Sequence, residues 1–118
     1  MFNFEKLDVW HKAIALGDVV YLNTRDFPIE ERFGLTNQMR RSVVSVSSNI
    51  AEGSSRSSSN DFARFIEIGT GSMFELVSQS FIARRQSFLA EEAFRVIYND
   101  AAEVGRMLSG LRTSLEQR

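Results

Sequence analysis

Few residues in this chain can do chemistry, and they are poorly grouped for it. There is one histidine, His11, beside Trp10. A general base needs a proton partner within hydrogen-bond reach, and none is evident for His11, which reads as a surface residue or a cap. Carboxylate-bridged metal bundles require Glu-x-x-His on two helices, which one histidine cannot supply. With no cysteine there is no disulfide, thiol nucleophile or thiolate metal site. Gly69-Thr70-Gly71 lacks the third glycine of a dinucleotide loop and falls inside a helical pattern. Serines are numerous, but no serine–histidine–acid arrangement can be drawn from them. The expectation is a protein that is not an enzyme, with no catalytic residue, metal or cofactor.

Polar residues of another kind remain. Asn49, Glu52, Gly53 and Arg56 follow one another, and Gly71, Ser72 and Glu75 come a little later. Two roles are open to them. Glu52 can pair with Arg56 or with an arginine of another helix while Asn49 caps backbone, which fixes register. Alternatively the set lines a groove between subunits or holds a ligand. Gly69, Gly71 and Ser72 are small enough to let another backbone come close, which would offset the roughly 1 kcal/mol that an interior helical glycine costs. All basic residues except Lys6 and Lys12 are arginine, whose planar fork suits carboxylates and phosphates. Arg40, Arg41, Arg56, Arg64, Arg84 and Arg85 are the contacts that a nucleic acid would use. The net charge of −1 argues against such a partner, and no exposed aromatic stacking platform is evident.

Helices must carry these residues. Four segments repeat at helical spacing, and the only proline is Pro28. The first runs from about Val9 to Thr24, with Asp8 as a plausible N-cap. Trp10, Ala13, Ile14, Gly17, Val20 and Tyr21 form one face, which Val9, Leu16 and Val19 widen. The segment ends before Asp26-Phe27-Pro28, and a helical turn fits Ile29 to Gly34. The second helix runs from about Leu35 to Glu52. Thr36 is a possible cap, the stripe is Leu35, Met39, Val43, Val46 and Ile50, and Arg41, Ser45, Ser48 and Glu52 form a polar back. Gly53 is expected to end it in the left-handed conformation. The β-branched alternation of Ser42 to Ser48 could read as a strand, but the four-residue spacing continues through it on both sides.

Ser58 and Asp61 resemble a capping box at the head of a third helix, from about Ser59 to Gln86. Phe62, Ile66, Gly69, Met73, Leu76 and Ser80 line one face, and Phe74, Val77 and Phe81 add a second apolar strip. So wide an arc must be covered from two sides. Phe74 and Phe81 either complete the monomer's own core or, with Leu16 and Val19 of the first helix, form the candidate surface for another subunit. The fourth helix, from about Glu91 to Glu116, carries Phe94, Ile97, Ala101, Val104, Leu108, Leu111 and Leu115 in alternating three- and four-residue steps, a seam that implies shallow crossing.

A chain of 118 residues fits one domain, spanning 1–118, and is long enough to bury its own core. Short connections make consecutive helices antiparallel, so the fold class is all-α, an up-and-down antiparallel four-helix bundle. Met1-Phe2-Asn3-Phe4-Glu5 has no basic segment before an apolar run, so no signal peptide is expected. No apolar stretch reaches membrane-spanning length. A cytoplasmic protein without a membrane partner is expected.

Several stretches carry a more specific resemblance: Leu7-Asp8-Val9-Trp10-His11-Lys12-Ala13, Phe27 to Thr36, Ser47-Ser48-Asn49-Ile50-Ala51-Glu52-Gly53 with Arg56, and Asp61 to Ser72 with Glu75. Together, over nearly the whole chain, these resemble the small four-helix-bundle proteins encoded by intervening sequences in bacterial 23S ribosomal RNA genes. The resemblance implies a ring-shaped homopentamer with no attached enzymatic activity and an unassigned cellular role. It also implies kinship with the accessory protein of diversity-generating retroelements, a basic pentamer that binds nucleic acid. This chain departs from the family pattern at three places: Ser47 stands where proline is frequent, Gly69 where alanine is usual, and Ala90 where a serine or threonine cap is common. It also lacks the strong positive charge of the retroelement protein. The expected function is a self-assembling scaffold or docking protein. The alternative is a protein that binds ribosomal RNA or mobile-element nucleic acid.

Overall fold

The computed structural model describes residues 1–118. A turn of 3-10 helix over Asn3–Lys6 leads into α1 (Asp8–Thr24). A second such turn, Ile29–Glu31, precedes α2 (Leu35–Ser54), which is followed by α3 (Ser59–Arg85) and α4 (Glu91–Glu116). Each helix packs on its neighbours in the chain, and α1 also packs on α4, while the diagonal pairs α1–α3 and α2–α4 do not meet. The helices therefore stand at the corners of a square, giving a rod of 46 × 22 × 21 Å. No helix is long and apolar enough to cross a membrane.

The expected stripes of α2 and α4 form the centre of the core. Leu35, Met39, Val43, Val46 and Ile50 are all buried, as are six of the seven α4 seam residues, with Leu111 half-buried at the end. Segment Ser42 to Ser48 is helical throughout. In α1 the inward line is Val9, Ala13, Leu16, Val20 and Thr24. Ile14 and Tyr21, expected on that face, are 40% and 41% exposed instead. Leu16, expected at a subunit surface, is only 1% exposed and belongs to the monomer's own core. One helix among four can turn a single stripe inward, and the residues one step around remain outside.

The ends of the helices differ from expectation where backbone and packing compete. Asp8 is the first helical residue, and Leu7 occupies the N-cap position. Gly34 precedes α2, so Thr36 is not its cap and lies buried inside the first turn. There the carboxylate of Glu31 accepts from the Leu35 amide at 3.1 Å, doing a cap's work from a distance. Ser58 does cap α3, its hydroxyl accepting from the Asp61 amide at 3.1 Å. The Asp61 carboxylate turns to Arg56 and Arg64 rather than closing the reciprocal half of the box. Ala90 precedes α4 without a side-chain cap.

Gly53 does not end α2. The helix continues to Ser54, and no glycine in the chain has positive φ. What requires glycine here is space: a Cβ would stand 2.8 Å from Phe62 Cδ1 and 2.8 Å from Phe65 Cβ. The left-handed position is taken by Ser87 after α3, at φ 65°. Its amide donates to Arg84 O at 3.0 Å, and the Phe88 amide donates to Ala83 O at 2.9 Å. That pair is a Schellman cap with serine where glycine is usual.

Candidate functional site

The Asn49–Arg56 motif builds the corner between α2 and α3. With Gly53 absent of side chain, Phe62 and Phe65 come down onto the last turn of α2. Arg56 then folds back over the Phe65 ring, 4.5 Å from guanidinium to centroid, and Arg64 lies 4.7 Å from the same ring. Carboxylates hold both arginines: Arg56 meets Glu52 at 3.0 Å and Asp61 at 3.8 Å, and Arg64 meets Asp61 at 3.0 Å. The Glu52–Arg56 pair is thus local, within one turn, and both side chains keep part of their surface in solvent. The sequence could not show Phe65 between two arginines, because its spacing relative to Arg56 depends on the corner.

A polar seam runs up from this corner between α2 and α3. Asn49 Nδ2 donates to the Ser45 carbonyl at 2.8 Å and to Ser45 Oγ at 3.1 Å. Ser45 Oγ lies 2.8 Å from Ser72 Oγ, and Ser72 Oγ lies 3.4 Å from the Ile68 carbonyl. Either hydroxyl can donate to the other, since Ser45 Oγ keeps a second lone pair after accepting from Asn49. At Gly69 a Cβ would lie 3.4 Å from Asn49 Cβ, an ordinary contact, so the space at this level would also take an alanine. Ser45, expected on the polar back of α2, has therefore turned to α3. Gly71 plays no part in the seam: nothing lies within 4 Å of the Cβ it lacks, and it faces outward. Glu75 is likewise exposed, away from the seam.

His11 is exposed in the first turn of α1. Its Nε2 lies 2.7 Å from the Glu5 backbone carbonyl, and its ring stacks edge-on with Trp10 at 5.0 Å. No three histidine, aspartate or glutamate side chains converge on a common point.

A groove of about 650 Å³ lies between α3 and α4, lined chiefly by Met73, Phe74, Val77, Phe81, Tyr98 and Ala102. Phe74 is 68% exposed beside it, and Phe81 is 39% exposed. Val19 is half-buried and packs against the monomer core. Phe81 meets Phe94 at 4.8 Å and Tyr98 at 6.1 Å between ring centres. Tyr98 lies off the α4 seam, which is why spacing did not single it out; its place one turn after Phe94 was the available signal. Arg84 covers one end of the aromatic cluster, 4.3 Å from the Phe94 centroid and 3.4 Å from Glu91. Arg85 lines the groove without an ion pair.

A second groove of about 570 Å³ lies between α1 and α2, lined by Tyr21, Asn37, Arg40, Arg41, Val44 and Ser45. Arg40 stacks on Tyr21 at 4.7 Å and donates to Thr24 Oγ1 at 3.0 Å. Arg41 is exposed. The six arginines considered for nucleic acid thus form no single patch. Arg56 and Arg64 sit at the α2–α3 corner, Arg84 and Arg85 toward the other end of α3, and Arg40 and Arg41 on the α1/α2 face.

A profile of the 23S rRNA-intervening sequence protein family matches residues 5–110. A crystal structure of a protein of unknown function from the S23 ribosomal protein family of Bacteroides thetaiotaomicron has the same fold. Its TM-score is 0.79 at 21% identity, over 88% of this chain and 97% of that one. None of the curated proteins matches the chain. With the family match extending through all four helices, the chain belongs to the 23S rRNA-intervening sequence protein family.

Proposed function

We propose that this protein is a non-enzymatic, self-assembling helical bundle, a homo-oligomeric ring of the pentameric kind that the family resemblance implies, acting in the cytoplasm as a scaffold or docking platform. One observation carries the proposal: the monomer completes a well-packed core and still leaves the α3/α4 groove open, with Phe74 68% exposed at its edge. Leaving a phenylalanine in water forgoes about 1.5–3 kcal/mol that burial would contribute. Clustered with Val77, Phe81 and Tyr98, it forms the contiguous apolar surface that marks an interaction site. Light scattering on the wild type and on Phe74→Glu tests this. The wild type should run as an assembly and the variant as a folded single chain with unchanged helicity. Equal masses for the two would remove the groove from the assembly.

A second reading, binding to ribosomal RNA or mobile-element nucleic acid, draws support from the α1/α2 groove, where Arg40 and Arg41 stand beside Tyr21 and Asn37 without a carboxylate. Against it, Arg56, Arg64 and Arg84 are committed to carboxylates of their own chain, and the net charge is −1. A salt titration with structured RNA decides between the two. Counterion-dependent binding that persists at physiological salt supports nucleic acid, and no binding even at low salt removes it.

A further inference from the structure

Two uncovered surfaces of the bundle are chemically matched to each other. On α3, Phe74 projects with Glu75 beside it, both exposed. On the α1/α2 face lies the groove of Tyr21, Arg40, Arg41 and Val44, with Tyr21 41% and Val44 46% exposed. Neither Arg41 nor Glu75 takes part in any ion pair of the chain. An aromatic ring suits a pocket with an apolar floor and guanidinium groups at its rim, and the carboxylate next to that ring suits the free arginine.

The two surfaces lie on different faces but at the same height. The 2.8 Å bond between Ser45 and Ser72 ties α2 to α3 at that level. Val44 is one residue from it and Phe74 two, along antiparallel helices. At 1.5 Å of rise per residue, their heights differ by only about 1.5 Å, and Arg41 and Glu75 differ by about 1.5 Å in the opposite sense.

We propose that copies of this chain join head to tail, the Phe74–Glu75 ridge of one seating in the Tyr21–Arg40–Arg41–Val44 groove of the next. The inference rests on the self-assembly reading above and specifies its contact. A contact between different patches generates either a ring or a filament, according to whether repetition climbs along the axis. Patches at equal height on parallel rods produce no climb, and the angle between the two faces then decides whether the series closes or runs on as a row.

One-sided variants test this. Phe74→Glu spoils the ridge and keeps the groove; Val44→Glu spoils the groove and keeps the ridge. Both positions are exposed, and circular dichroism should show both variants folded. Each alone should run at the 13.4 kDa of one chain. Mixed, they should form a one-to-one dimer and stop there, because only one intact ridge and one intact groove are available. Arg41→Glu and Glu75→Arg should each weaken assembly, and the double variant should restore it, a rescue that misfolding cannot mimic. If Val44→Glu assembles like the wild type, or if the mixture stays monomeric, the head-to-tail contact is wrong while self-assembly stands. If the wild type is itself monomeric, the self-assembly reading and the contact fall together.

Discussion

Ser45 of α2 and Ser72 of α3 meet hydroxyl to hydroxyl at 2.8 Å, a directional contact within the packed seam between the two helices that carry the outward-facing surfaces. The bond is supported from below by Asn49, which donates to Ser45 Oγ at 3.1 Å.

Ser72→Ala should cost about 1 kcal/mol, the net value of a part-buried hydrogen bond. Ser45→Ala should cost at least as much, since it also removes the Asn49 Nδ2–Ser45 Oγ bond, leaving the amide only the Ser45 carbonyl. In a double-mutant cycle followed by urea unfolding, the pair should couple by about 0.5 kcal/mol or more. Strict additivity would mean that the hydroxyls do not act on each other.

Gly53→Ala and Gly110→Ala should have opposite signs. At Gly53 the new methyl would stand 2.8 Å from ring and Cβ atoms of two phenylalanines, while at Gly110 it meets nothing within 4 Å. Overpacking typically costs about 1–3 kcal/mol, whereas an alanine at an open helical site gains up to about 1 kcal/mol. Thermal melts of the two variants compare them directly, and a more stable Gly53→Ala protein would contradict the close approach.

Ser87→Gly should stabilise the fold. Serine at φ 65° carries the left-handed penalty of roughly 1–2 kcal/mol, most of which glycine avoids. Denaturant titration should show a higher midpoint at unchanged slope. A lower midpoint would mean that the serine side chain holds this turn in place.

Much of the architecture was legible in the residues. The α4 seam from Phe94 to Leu115 and the α2 stripe from Leu35 to Ile50 each leave one narrow face that can be buried, so period alone locates the core. The first helix is different. Val9, Trp10, Ala13, Ile14, Leu16, Val19, Val20 and Tyr21 surround much of its circumference, and only the position of α2 and α4 decides that Leu16 turns in and Tyr21 out. Gly53 was expected to end α2, whereas it makes room for α3. A glycine near a helix end can serve as a left-handed terminus or as a gap for a neighbour, and the choice depends on Phe62 and Phe65 arriving from α3. The outward groove on α1 and α2 was hidden for a related reason: Tyr21, Arg40 and Val44 come from two helices whose register no local spacing reveals.

Whether the uncovered apolar surface is occupied by further copies of the chain is decided most directly by the mass of the wild-type particle. Native mass spectrometry and sedimentation velocity at micromolar concentration should find one homogeneous species at an integral multiple of 13.4 kDa, five-fold if the ring is a pentamer. A single stable species of 13.4 kDa at that concentration would contradict the assembly and everything built on it.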